Sequence, residues 1–122
     1  DFFNNLTMEE RNVIVNKGTE RPFSGIYNDF FEQGLYVCKA CNNPLFTSEY
    51  KFVSNCGWPS FDNEIPKSII RIPDYSYNMN RTEIVCANCK GHLGHVFEGE
   101  KLTEKNTRHC VNSISIKFIS ND

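Results

Sequence analysis

The chain has 122 residues, a formal net charge of -2 and 39% hydrophobic residues, enough for one domain over residues 1–122 with no room for a second substantial core. No apolar run is long enough to span a bilayer, and Lys and Arg are intermixed with Asp and Glu, so neither a membrane nor nucleic acid is expected as a partner. The chain opens at Asp1 and not at Met, so an upstream leader is allowed for and the compartment, cytoplasmic or organellar, stays open.

In chain order, Thr7-Met8-Glu9-Glu10 has the spacing of a capping box. Val13, Ile14 and Lys17 fit one short helix after it, and Gly18 is a natural stop. Residues 19–25, with Pro22 and Gly25, read as loop. Leu35-Tyr36-Val37 reads as a strand that delivers Cys38 and Cys41 to a tight turn, continued by Asn42, Asn43 and Pro44. Residues 51–53 are a further short strand. Residues 55–61 form an ordered loop, because Gly57 and Pro59 argue against a regular element while Trp58 and Phe61 need packing partners. Residues 68–72 and 81–85 are strands with Pro73 and Asp74 marking the turn between them. Residues 91–97 run from a turn into a strand, and 98–107 are an exposed loop. Residues 110–118 alternate as one strand, which puts Arg108, Cys110 and Asn112 on one face, followed by Ile114, Ile116 and Phe118, with His109 on the other.

The six cysteines divide by spacing into Cys38-x-x-Cys41, Cys86-x-x-Cys89 and the singles Cys56 and Cys110. Two such pairs supply the tetrahedral sulfur shell that Zn²⁺ favours in closed structural sites. A pair of disulfides or a redox-active dithiol is the alternative. His92 and His95 continue the second pair at the same spacing, so Cys86, Cys89, His92 and His95 are a second possible ligand set, one that leaves Cys38 and Cys41 unexplained. Cys110, with Arg108 on its face and Asn112 beyond, has the surroundings of a nucleophile. The only tryptophan, Trp58, lies two residues after Cys56 and could line a small apolar pocket.

Taken together, Gly18-Thr-Glu-Arg-Pro-Phe-Ser-Gly25, the two cysteine pairs, Gly57-Trp-Pro-Ser-Phe61, Arg81-Thr-Glu83, His92-Leu-Gly-His-Val-Phe97 and Arg108-x-Cys-x-Asn-Ser113 closely resemble the methionine-R-sulfoxide reductase B (MsrB, SelR-type) family. The resemblance implies a mainly β, tent-like fold of two antiparallel sheets with short N-terminal helical segments. It also implies a structural Zn²⁺ on Cys38, Cys41, Cys86 and Cys89. Cys110 aligns with the catalytic cysteine, which becomes a sulfenic acid, and Cys56 with the resolving cysteine, which makes a disulfide for a thioredoxin-type donor to reduce. Methionine-R-sulfoxide in oxidised proteins would be the substrate and a monomer the working form. The polar sulfoxide oxygen calls for donors, for which His95 and Asn112 are suited with His92 assisting, while Arg108 would hold Cys110 as thiolate. Trp58 and Phe97 would wall the S-methyl group. Two departures stand out: His109 replaces the Tyr or Phe common before the catalytic cysteine, and the 98–107 loop lacks prolines. A zinc-bound β module that binds protein or ligand without catalysis is the competing reading. It would need the cysteine pairs but not Cys110, Cys56, His95 and Asn112 together.

Overall fold

The computed structural model describes residues 1–121. Its one α-helix, α1 (Met8–Ile14), starts at the expected capping box: the Thr7 hydroxyl accepts from the Glu10 N–H at 3.1 Å, and the Glu10 carboxylate accepts from the Thr7 N–H at 2.9 Å. The helix is shorter than the periodicity of Lys17 implied. Lys17 takes a left-handed conformation and the Gly18 N–H donates to the Asn12 carbonyl, so the chain turns away one residue before Gly18. Val13 and Ile14 are buried where α1 lies against the larger sheet.

Among the described residues nine strands form two antiparallel sheets. β1 (Gly34–Cys38) lies between β2 (Pro44–Thr47) and β9 (Ile116–Ser120) in the smaller sheet. The larger runs β3 (Lys51–Phe52), β4 (Ser60–Phe61), β8 (Thr107–Val111), β7 (His92–Glu98), β6 (Arg81–Cys86), β5 (Ile69–Asp74). The mainly β, two-sheet architecture agrees with expectation. The core joins the sheets through Tyr36, Phe46 and Phe61, all fully buried. Phe46 stacks on Phe61 at 4.2 Å between ring centroids, and Tyr36 meets Phe61 edge-on at 5.0 Å.

Four local readings are corrected. Pro44 starts β2 and does not prolong the turn. Ser60 and Phe61 pair with both Lys51–Phe52 and β8, so the end of the 55–61 loop is a strand of two residues. Pro73 and Asp74 belong to β5, and the turn comes after them. β5 is the sheet's outer strand, where a proline's missing N–H goes unnoticed. The 110–118 alternation is not one strand: β8 ends at Val111, a 3₁₀ turn occupies Ser113–Ser115, and the chain enters the other sheet as β9. The break passes the chain from one sheet to the other. Among the described residues no helix is long and apolar enough to cross a membrane.

Candidate active site and a four-cysteine cluster

The two Cys-x-x-Cys turns are built alike. Cys38 ends β1 and Cys86 ends β6; each carbonyl accepts the N–H four residues on, from Asn42 at 2.9 Å and Lys90 at 2.8 Å, and both of those residues are left-handed. Each turn therefore points its two sulfurs the same way. The four Sγ atoms of Cys38, Cys41, Cys86 and Cys89 lie within 4.8 Å of one another, with Cys38 and Cys89 at 3.6 Å and Cys41 and Cys86 at 3.5 Å. A tetrahedron with metal–sulfur bonds of about 2.3 Å has sulfur edges of about 3.8 Å. The donor set thus fits a metal ion, with the Gly91 N–H and Asn43 amide directed at two of the sulfurs. His92 and His95 are not in this cluster, which removes the alternative ligand set.

A second site opens on the face of the larger sheet, a cleft of about 160 Å³. Cys110 sits on β8 between its register partners Ser60 on β4 and His95 on β7. Gly94 on β7 must be glycine, because a Cβ there would collide with the Cys110 carbonyl. Arg108, Cys110 and Asn112 all line the cleft, together with Cys56, Trp58, His95 and Phe97. Asn112 reaches it from just beyond the strand's end, in an extended conformation. Its Nδ2 donates to the Leu93 carbonyl at 3.1 Å and its Oδ1 accepts the Glu20 N–H at 3.0 Å. Nδ2 carries a second N–H beyond the one given to Leu93. Trp58 is held by its indole N–H, which donates to the Glu20 carbonyl at 3.0 Å.

Cys56 and Cys110, far apart in sequence, line the same cleft, and each shifts the other's titration. The bond to Cys110 together with donation from Ser54 at 3.1 Å, with Ser60 at 3.4 Å, holds the Cys56 thiol down at about 4. The same bond, followed by burial, pushes Cys110 up. Arg108 acts on Cys110 in the expected direction, lowering it, and is outweighed. Its guanidinium is engaged with Glu100 through two bonds, at 2.8 and 3.1 Å, and stacks over Phe97 at 4.5 Å.

Asp74 on β5 accepts from the His95 Nε2 at 2.7 Å across the intervening β6, and this contact, with the Ser76 N–H, holds the Asp74 carboxyl well below its usual range. Arg81 reaches the same carboxylate at 3.7 Å. His92 does not line the cleft. It is buried behind His95, with ring centroids 5.7 Å apart, and its Nδ1 is 2.7 Å from Glu83, which in turn meets Lys17 at 3.1 Å. Burial pushes the His92 imidazole down. Asp74, Ser54, Ser60 and Glu20 are the groups sequence reasoning missed. In the sequence Asp74 reads as a turn residue beside Pro73, and Glu20 is one of several polar residues inside the stretch Gly18–Gly25.

The SelR domain model matches residues 6–120. Peptide methionine sulfoxide reductase MsrB of Hahella chejuensis is 52% identical over 119 residues, covering 96% of this chain and 84% of its own. Peptide methionine sulfoxide reductase MsrB of Pseudomonas fluorescens is 50% identical over 116 residues, covering 93% and 88%, and peptide methionine sulfoxide reductase B5 of Arabidopsis thaliana 49% over 114, covering 93% and 81%. With a domain match across nearly its whole length and relatives this similar, the chain belongs to the SelR, or methionine-R-sulfoxide reductase B, family.

Proposed function

We propose that the protein is a single-domain reductase of peptide-bound methionine-R-sulfoxide. The observation that carries this reading is the pair of thiols, Cys56 and Cys110, in a small cleft walled by Trp58 and Phe97 and lined by His95 and Asn112. The S-methyl group would rest against the aromatic wall and the sulfoxide oxygen would face the donors. As the sulfoxide enters, Cys110 gives up its proton, for which the Cys56 sulfur is the neighbouring acceptor, and attacks the sulfoxide sulfur. The sulfoxide gains two electrons and leaves as the thioether; Cys110 loses them and carries the oxygen as a sulfenic acid. The Cys56 sulfur then forms a bond to Cys110, the oxygen leaves as water, and a thioredoxin-type dithiol restores both thiols by exchange. His95, oriented by Asp74, is suited to supply the proton the departing oxygen needs, with His92 as its support.

The four-cysteine cluster is proposed to hold one structural Zn²⁺, whose chemistry there is to tie two turns of different sheets together. Arg108 is assigned to the outer edge of the cleft, where its charge favours the thiolate form of the pair. The deciding experiment is turnover of separated R and S sulfoxide epimers of a blocked methionine with thioredoxin as donor. Turnover of R is expected, and activity on S alone defeats the proposal.

A further inference from the structure

One residue outside the cleft touches both of its adjustable walls. Glu20 does not line the cavity, yet its backbone N–H fixes the Asn112 amide and its carbonyl fixes the Trp58 indole. Its side chain runs the other way. The carboxylate accepts the Ser113 N–H at 2.7 Å and the Ile114 N–H at 3.1 Å, one oxygen to each. The Ser113 N–H belongs to the peptide plane that directly follows Asn112, so the carboxylate fixes the backbone of Asn112 while the Glu20 N–H fixes its side chain. Asn112 is held from both ends by one residue.

We propose that Glu20 is a positioning residue for the reductase site, a clip whose carboxylate seats residues 20–27 on the 113–115 turn and thereby sets Asn112 and Trp58 together. Two further contacts support the seating. The Tyr27 N–H donates to the Ser113 hydroxyl at 3.2 Å, and Gly25 approaches Ser113 so closely that any side chain there would collide with it. The carboxylate is retained against its own desolvation: burial raises its pKa more than the two backbone N–H groups lower it. An apolar residue would avoid that cost but could not accept two adjacent amide protons.

The inference rests on the reductase reading, but its test does not depend on that reading alone, because Trp58 is the only tryptophan and reports its own surroundings. Glu20→Ala and Glu20→Gln are compared with wild type in kcat and KM for the R-sulfoxide, tryptophan emission, acrylamide quenching and thermal midpoint. Glu20→Ala is expected to lower kcat/KM roughly 10- to 100-fold, as a displaced site does, to red-shift Trp58 emission and to increase quenching. Glu20→Gln keeps one acceptor oxygen and should fall between. A lower thermal midpoint with unchanged emission and unchanged kcat/KM in the folded variants would mean a purely structural residue and would overturn the proposal. If Glu20→Ala does not fold, Glu20→Gln is combined with Trp58→Phe, which lacks the indole N–H. The Gln effect should shrink in that background, and full additivity overturns the clip. A wild type that reduces no R-sulfoxide sinks the reductase reading while the emission comparison still decides the role of Glu20.

Discussion

Cys38, Cys41, Cys86 and Cys89 converge from two turns that follow β1 and β6, three of them buried, while Cys56 and Cys110 line one open cleft with a serine hydroxyl donating to Cys56. The side chain is the same in both places and the surroundings divide its chemistry. In the cluster each sulfur has sulfur neighbours on every side and room for a shared ion at the centre. In the cleft there are only two sulfurs, and their surroundings are unequal, lowering the Cys56 thiol and raising that of Cys110. A closed set of four favours holding; an open, unequal pair favours exchange.

The largest expected effect comes from breaking the closed set. Cys86→Ser removes one donor, and since structural zinc contributes ~10–16 kcal/mol of apparent binding free energy against a typical domain stability of ~5–15 kcal/mol, the variant should lose its cooperative unfolding transition. Circular dichroism with metal analysis checks both halves: one zinc per chain in wild type, and none with a molten or unfolded spectrum in the variant. A wild type free of zinc that still unfolds cooperatively would remove the metal from the comparison.

Next in size is Cys110→Ser, which keeps the fold and should lower reductase activity by at least about 10³-fold, as removal of a nucleophile does. Its thermal midpoint should stay near wild type, because the serine side chain is of similar shape and Cys110 has no part in the cluster. The contrast with Cys86→Ser is the point: one cysteine lost for stability, the other for chemistry.

The two sites were unequally visible in the sequence for a physical reason. Each half of the cluster is a single turn, so Cys-x-x-Cys spacing alone reveals it. The cleft is assembled by pairings that leave little trace. Cys56 reaches Cys110 only because Ser60 and Phe61 pair with β8, and Gly57 and Pro59 erase any period around that two-residue strand. Asp74 reaches His95 only because β5 runs through Pro73, which sequence reasoning takes as a breaker. The alternation of 110–118 implies one strand, but a 3₁₀ turn over Ser113–Ser115 interrupts it. Asn112 and Ser113 sit where the chain changes sheets, and the next apolar residues serve the smaller sheet.

Cys56→Ser sharpens the open pair without destroying it. One equivalent of sulfoxide should still be reduced per protein, while repeated turnover with thioredoxin is lost. The pH dependence has a definite sign. The bond to Cys56 is the largest influence raising Cys110, and the Cys56 charge adds to it, so removing the sulfur should let Cys110 titrate at lower pH. Alkylation of Cys110 by iodoacetamide, followed against pH by peptide mass, should then show an earlier midpoint than in wild type. A midpoint that stays or rises would mean that burial, not the neighbouring thiol, governs Cys110.

The smallest effect concerns the residue next to the nucleophile. His109 precedes Cys110 but points to the opposite face of β8, where it is 1% exposed, with Nδ1 3.0 Å from the Phe61 carbonyl and Nε2 2.9 Å from Glu64. Sequence proximity suggests an influence on the thiol; the strand's alternation sends the imidazole into the layer behind it. His109→Phe keeps the ring against Phe46, which it meets edge-on, but removes the ring-nitrogen contacts with the Phe61 carbonyl and with Glu64, which keeps Arg71 at 3.6 Å, at a cost of about 1–3 kcal/mol. The thermal midpoint should therefore fall while kcat/KM and its pH profile stay at wild-type values. A shifted pH profile with an unchanged midpoint would place His109 in the chemistry of the pair and show that the two faces of β8 are electrostatically coupled.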